Sequence, residues 1–164
     1  MRKPLGIVTL FSLMTFILAG CGGGSGSNDG TTPTTNANPA AGTNTAVLKL
    51  QTSGTPDIPI AGISLTLKLP TGATILSNNQ IVASGVCPSN ALFAANYTPQ
   101  NSTVRLSLVS TATFPPGEFA TLNLQLDAGK SFTADDFVVA GTDIITSTAT
   151  QLLNVSVTKT LTLL

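Results

Sequence analysis

The sequence of 164 residues contains no histidine and no tryptophan, and only 9% of its residues are charged. Histidine is the commonest general base and metal ligand, so its absence argues against acid–base catalysis and transition-metal binding. Glycoside hydrolysis usually needs two placed carboxylates, whereas Glu118 is the single glutamate and lies in a Pro-Gly turn. We therefore predict a protein that is not an enzyme, with no catalytic residue, no cofactor and no metal ion.

The distribution of charge argues against a further class of function. The formal net charge is +0, and two of the cations, Arg2 and Lys3, stand at the N-terminal end. The other cations are scattered singly along the chain: Lys49, Lys68, Arg105, Lys130 and Lys159. Because no basic patch is present to hold a phosphate backbone, we expect no nucleic-acid partner.

Residues 1–20 have the layout of a secretory signal peptide. Arg2 and Lys3 form a positively charged start, residues 5–18 form an apolar centre, and Ala19-Gly20 supply small residues at the end. The apolar run is shorter than the ~20 residues that span a bilayer comfortably as a helix. We therefore predict a leader that is removed rather than a transmembrane helix.

The residues Leu18-Ala19-Gly20-Cys21 close this leader and resemble the lipobox of bacterial lipoproteins. The resemblance implies signal cleavage between Gly20 and Cys21, and attachment of a diacylglycerol and usually a third acyl chain to Cys21. Two or more acyl chains hold a protein stably on a membrane. An aspartate after the cysteine often favours retention at the inner membrane. Gly22 stands there instead, so the resemblance implies a lipoprotein of the outer membrane of a Gram-negative bacterium.

Residues 21–45 are predicted to be a lipidated, flexible linker. After the cysteine, this segment is rich in Gly, Thr, Asn, Ser and Pro, and it has no apolar side chain larger than alanine. Such a segment cannot bury enough surface to offset the entropy lost on ordering. We expect a disordered tether that holds a folded domain near the membrane and lets it turn.

Residues 46–164 are predicted to form one all-β domain. In residues 63–69, every odd position is a large aliphatic residue and every even position is polar. Such alternation is typical of a half-buried strand. Similar alternation, less regular in places, occurs in residues 46–51, 104–108, 120–126 and 153–163. Strands separated by Gly, Pro and Thr turns over about 120 residues predict an antiparallel β-sandwich.

Two parts of this domain leave alternatives open. Residues 73–98 are the least regular, and Ile75-Leu76 and Ile81-Val82-Ala83 fit either strands or a short helical turn. Lys159 falls on the apolar phase of residues 153–163. We expect either a β-bulge there or an edge strand from which the lysine reaches water.

The order of the strand motifs resembles that of cohesin domains. Ala61-Gly62 precedes Ile63-Ser64-Leu65-Thr66-Leu67, which is followed by Val104-Arg105-Leu106-Ser107-Leu108 and then by Pro115-Pro116-Gly117-Glu118-Phe119-Ala120-Thr121-Leu122-Asn123-Leu124. The resemblance covers residues 46–164 and implies a jelly-roll sandwich of the superfamily that includes carbohydrate-binding modules. Cohesins commonly have a Tyr-Asp pair after the strand that corresponds to residues 63–67, whereas this chain has Leu69-Pro70. The resemblance therefore carries the fold more readily than a dockerin partner.

Cys87 is the one cysteine left once Cys21 carries lipid, so an intrachain disulfide is not expected. The thiol could react or pair with another chain. A lone cysteine in an apolar neighbourhood is more often a small buried hydrophobe, and without histidine nearby to activate it a catalytic role is remote.

Two further groups of residues have both a binding and a structural interpretation. Asp135 and Asp136, with Asp143 nearby, could donate oxygen ligands to calcium, although a solvated turn capped by aspartate is the commoner arrangement. Phe93 and Tyr97 could form an aromatic contact for a ligand, although aromatic residues more often pack against their own core.

These observations favour a membrane-anchored, non-catalytic binding or adhesion module outside the cytoplasm. Its partner would be either a protein, such as a dockerin, or a polysaccharide. The alternative is a structural subunit whose sandwich pairs edge to edge within a cell-surface or secretion assembly. We expect contacts from Ser, Thr and Asn side chains, the exposed Val109 and an unpaired strand edge.

Overall fold

The computed structural model describes residues 43–164. The predicted signal peptide and most of the predicted linker, including the proposed lipidation site Cys21 and the cleavage site after Gly20, lie outside the described residues. The described strands are β1 (Thr43–Gly54), β2 (Ile60–Lys68), β3 (Ala73–Thr74), β4 (Ile81–Ala83), β5 (Leu92–Thr98), β6 (Thr103–Phe114), β7 (Glu118–Asp127), β8 (Val138–Ile145) and β9 (Val155–Leu163). Single turns of 3-10 helix cover Asn78–Gln80, Pro99–Asn101 and Ala134–Asp136.

The strands form two antiparallel sheets, which confirms the predicted all-β class. Sheet I has five strands in the order β3-β7-β1-β9, and β4 also pairs with β7. Sheet II has four strands in the order β5-β6-β2-β8. Strand β1 therefore lies in the interior of sheet I, between β7 and β9, and β2 lies in the interior of sheet II, between β6 and β8.

One hydrophobic core is shared by the two sheets, because each strand buries alternate residues. On β2, Ile63, Leu65 and Leu67 are buried, whereas Ser64 and Thr66 face outward. The same alternation on the other long strands gives a core drawn from both sheets, including Leu48, Leu50, Val104, Leu106, Leu108, Leu122, Leu124 and Leu126. The predicted alternation in residues 63–69, 104–108 and 120–126 is thus confirmed as the source of the core.

The chain passes between the sheets at nearly every connection. Only β3 to β4 and β5 to β6 stay within one sheet. Ile60 pairs with Phe114 and Lys68 pairs with Thr103, so the strands of sheet II run the full height of the domain in alternating directions. Because of this winding, most neighbouring strands within a sheet are distant in sequence.

Several boundaries differ from the sequence-based expectations. Strand β1 begins at Thr43, so residues 43–45, predicted as the end of the linker, belong to a strand. Ile81–Ala83 is a strand, and the helical turn lies just before it at Asn78–Gln80. Ile75-Leu76 lies outside both kinds of element, and strand β5 was not predicted.

Lys159 lies on an edge strand without a bulge. Strand β9 pairs with β1 from Ala46↔Leu163 to Gly54↔Val155 with no shift in register. The Lys159 ammonium is half-buried and donates a hydrogen bond of 2.7 Å to the Phe137 carbonyl oxygen, at the start of β8. Of the two alternatives, the edge strand is therefore the one observed, and the lysine also bridges the adjacent edges of the two sheets.

Candidate binding face

Three adjacent rows of outward side chains cross all four strands of sheet II, and a fourth row of Thr98, Thr103, Lys68 and Val138 lies beyond them. We call this surface the sheet II face. The register of β2 with β6 and β8, and of β6 with β5, aligns the rows. The apolar row is Leu92, Val109, Gly62 and Ile145; the middle row is Ala94, Ser107, Ser64 and Asp143; the third row is Asn96, Arg105, Thr66 and Gly141.

The middle of the sheet II face is depressed, because its central side chains are small. One depression of about 270 Å³ lies over β5, β6 and β2, and a second of about 470 Å³ lies over β2 and β8. Ser64 and Thr66 line both, so the two depressions are continuous across β2. The resulting trough is shallow and polar on the β8 side, where Asp143 and Gln151 contribute to its wall.

The apolar row exposes large aliphatic side chains along one border of this trough. Leu92 is 78% exposed and Val109 is 50% exposed, which confirms the predicted exposure of Val109. Glycine at position 62 leaves room for the Ile145 side chain, because a Cβ at that position would lie 2.8 Å from Ile145 Cγ1. The Ile145 side chain therefore lies across β2, where any larger residue than glycine would displace it.

The charges of the sheet II face have no ion-pair partner among residues 43–164. The two ion pairs in this part of the chain join Lys49 to Glu118 at 2.9 Å and Lys130 to Asp127 at 2.8 Å. Arg105 and Asp143 belong to neither, and both are exposed. Arg105 and Asp143, on adjacent rows and on opposite sides of β2, are thus available to an incoming surface, and so is the exposed Lys68 in the fourth row.

Aromatic side chains are turned away from the surface. All six in the described part of the chain lie in the core or pack against it: Phe93, Tyr97, Phe114, Phe119, Phe132 and Phe137. For Phe93 and Tyr97 the structure favours the packing interpretation over the ligand contact, because their positions on β5 alternate with the outward Leu92, Ala94 and Asn96.

Glu118 has a structural environment on the opposite, sheet I side. Its carboxylate accepts hydrogen bonds from the Lys49 ammonium at 2.9 Å and from the Thr121 hydroxyl at 3.2 Å. The hydrogen bond from Lys49, followed by one from Ser84, holds the pKa of Glu118 below its usual range. A carboxylate held ionised in this way is a poor proton donor at neutral pH.

The aspartates considered as calcium ligands do not converge. Asp136 caps the turn Ala134–Asp136, where its carboxylate accepts hydrogen bonds from the Thr133 amide at 2.7 Å and the Thr133 hydroxyl at 2.9 Å. These hydrogen bonds, from the amide first, lower the pKa of Asp136. Within the described range, no three acidic, cysteine or histidine side chains are placed to hold a metal ion.

Cys87 packs partly against the core between β4 and β5. Burial raises the pKa of its thiol, and the sulfur lies 3.7 Å from the Pro88 carbonyl oxygen. A thiol with a raised pKa is mostly protonated at neutral pH and weakly nucleophilic. These features match the packing interpretation of Cys87.

Sequence reasoning found Val109 and the outward residues of β2, but it missed the contribution of β5. The available signal was the period-two set Phe93, Ala95 and Tyr97, which pack inward and leave Leu92 and Asn96 outward. Within residues 43–164, no helix is long and apolar enough to cross a membrane. Comparison of the chain with protein-family models, with curated proteins and with solved structures finds no match.

Proposed function

We propose that this chain is a lipoprotein anchored through Cys21. Its non-catalytic domain binds a protein partner on the sheet II face. The anchor and the leader that precedes it rest on the lipobox-like Leu18-Ala19-Gly20-Cys21, and the location at a Gram-negative outer membrane rests on Gly22 after the cysteine. The binding role rests on the surface described above.

The observation that carries the binding role is the exposed apolar row beside the polar trough. Protein interfaces combine an apolar centre with a polar rim that supplies hydrogen bonds. Leu92 and Val109 supply exposed aliphatic surface on adjacent strands, Ile145 continues the row beyond Gly62, and Ser64 and Thr66 border it with hydroxyls. An exposed aliphatic row of this kind has a free-energy cost in water that a partner would remove.

The position of the aromatic side chains favours a protein over a polysaccharide as the partner. Sugar rings are commonly bound by stacking on an exposed aromatic face, and the six aromatic residues of 43–164 are used in or against the core. Aliphatic side chains with serine and threonine hydroxyls fit a polypeptide surface instead. The free Arg105 and Asp143 would add one ion pair each with a partner of matching charge.

A cohesin-like jelly roll is the finer fold that we propose for the domain. The three motifs behind the resemblance correspond to β2, β6 and β7, which are interior strands of their sheets. Repeated passage of the chain between the sheets also supports a jelly-roll winding. The Leu69-Pro70 departure leaves a dockerin as one protein partner among others, because the expected Tyr-Asp pair is missing.

The anchor is tested by the substitution Cys21→Ser in the full chain. We expect the variant to lose labelling by a fatty-acid analogue and to leave the membrane fraction, because the thioether to lipid cannot form. Cys87→Ser is the matched control and should keep both properties. Retention of Cys21→Ser in the membrane at the wild-type level would contradict the proposed anchor.

The binding face is tested by photo-crosslinking in cells that produce the full chain. A photoreactive residue is placed at Leu92 on the sheet II face or, as a control, at Thr160 on the outer face of sheet I. We expect a discrete, protease-sensitive adduct from position 92 and none from position 160. Equal adducts from both positions, or an adduct destroyed by polysaccharide cleavage instead of protease, would overturn the proposal.

A further inference from the structure

Strand β9 has a long free edge with a defined set of exposed backbone groups. Among residues 43–164 it pairs in its sheet with β1, and the pairing covers nine residues without a bulge. The Leu164 amide donates to the Thr45 carbonyl oxygen at 2.9 Å, in phase with this register. Since hydrogen-bonded pairs alternate in an antiparallel ladder, Val157, Lys159 and Leu161 direct their amide and carbonyl groups away from β1.

The outward side chains of β9 would suit the same strand in a second copy. Ser156, Thr158, Thr160 and Thr162 are all exposed on the outer face of sheet I. Suppose that β9 pairs antiparallel with β9 of a second copy through the amide and carbonyl groups that point away from β1. Each such register places one of these hydroxyl side chains opposite another. Thr–Thr and Ser–Thr pairs of this kind stabilise adjacent strands.

The other edge strands of the sandwich are less suited to pairing with an added strand. On β5, the Tyr97 amide is already bonded to the Asn78 side-chain oxygen at 2.8 Å. Strand β8 has a register shift opposite Thr66 and Leu67, which interrupts its ladder. Strands β3 and β4 are only two and three residues long. The edge of β9 is therefore the longest regular one in the described domain.

Lys159 lies at the middle of this edge and opposes its pairing. Its ammonium has three donors, one of which is used by the Phe137 carbonyl oxygen at 2.7 Å. Lys159 is half-buried, and its ammonium reaches from β9 to the Phe137 carbonyl oxygen at the neighbouring edge of sheet II. A strand added beside β9 would desolvate this charge further, which is unfavourable when no new acceptor is supplied.

We infer that the β9 edge is a latent pairing surface for the same strand of a second copy, and that the Lys159 ammonium keeps the domain monomeric by preventing this pairing. An inward-directed charge on an edge strand is a known means of blocking edge-to-edge association. The inference is independent of the sheet II face, and it opposes the alternative in which the unmodified domain assembles edge to edge.

Three substitutions at position 159 of the full chain, purified in detergent, test this inference by sedimentation velocity. Lys159→Val removes the charge and keeps the outward amide, so we expect the apparent Kd for self-association to fall at least about tenfold. Lys159→Arg keeps the charge and should stay within about twofold of the wild type. Lys159→Pro removes the charge and also the outward amide needed for pairing, so it should remain monomeric.

Comparing Lys159→Val with Lys159→Pro distinguishes pairing of β9 edges from a general loss of solubility, because both variants remove the charge and only Lys159→Val keeps the outward amide. Self-association of Lys159→Pro to the same extent as Lys159→Val would overturn the inference, as would a wild type that is already dimeric and unchanged by Lys159→Val. Circular dichroism verifies folding of each variant. Should Lys159→Pro fail to fold, Leu163→Pro in the Lys159→Val background removes another outward amide at an exposed position and should reduce the association.

Discussion

The two outer faces of the sandwich cover the same core but differ in how their polar groups are used. On sheet I, Lys49 and Glu118 form an ion pair, and the Thr121 and Ser84 hydroxyl oxygens lie 2.9 Å apart. On sheet II, Arg105 and Asp143 have no ion-pair partner within the described residues. Sheet II also has the exposed aliphatic pair Leu92 and Val109 on adjacent strands.

The difference shows how binding capacity can arise without any catalytic group. Several outward polar residues of sheet I are hydrogen-bonded to one another, and β9 adds exposed hydroxyls. The sheet II face leaves charge and aliphatic surface unsatisfied. A partner that covers the aliphatic side chains and pairs with the charges would bury apolar area and form new hydrogen bonds at the same surface, and both stabilise a complex.

The largest expected effect is a loss of stability, and it tests whether the inward residues of sheet II belong to the core shared by both sheets. Leu65 is 3% exposed and Thr66, the next residue, faces outward. We expect Leu65→Asp to destabilise the domain by more than about 4 kcal/mol, because an unpaired charge enters the core, and Thr66→Asp by less than about 1 kcal/mol. Urea unfolding followed by circular dichroism measures both. Similar losses in the two variants would contradict the assignment of inner and outer residues.

The second prediction contrasts the two faces directly. Val109→Asp places a charge in the apolar row, and we expect the photo-crosslinking yield from position 92 to fall at least about tenfold, since an interface centre tolerates an unpaired charge poorly. Thr160→Asp makes the same change of charge on sheet I and should alter the yield by less than about twofold. An equal fall in both variants would remove the distinction between the faces.

The smallest expected effect concerns the ion pair on sheet I. Because the pKa of Glu118 is lowered in the folded state, its contribution is present above the ordinary glutamate pKa of ~4.3 and is lost as pH falls through the lower folded-state value. Glu118→Gln should therefore cost about 0.5 kcal/mol near neutral pH and almost nothing in acid. Urea unfolding across this pH range measures the difference. A cost of Glu118→Gln that persists unchanged in acid would contradict the explanation.

The strands that dominate the core were predictable because their alternation is local. Residues 63–69 and 120–126 have large aliphatic side chains at every second position, and β2 and β7 contain these residues. Strand β5 escaped prediction because alanine occupies both its inward and outward phases, at Ala95 and Ala94. The contrast between the two faces of β5 is therefore weak in the sequence.

The composition of the sheet II face was less predictable than its strands. Val109 was expected to be exposed, but its alignment with Leu92 and Ile145 depends on the register of four strands that are far apart in sequence. Register is set by pairing across the whole sheet and by bulges such as the one in β8. A single sequence indicates which side chains face outward on a strand, but not which ones become neighbours.

The interior position of β1 has a mechanical consequence. The chain enters the domain at Thr43, the first residue of β1, and this strand is hydrogen-bonded along its length to β7 on one side and β9 on the other. A pull on the tether acts along β1, and the ladder hydrogen bonds lie perpendicular to that direction. They would be loaded together in shear rather than opened one after another, so the domain should resist traction between the proposed anchor and a partner bound at the proposed face.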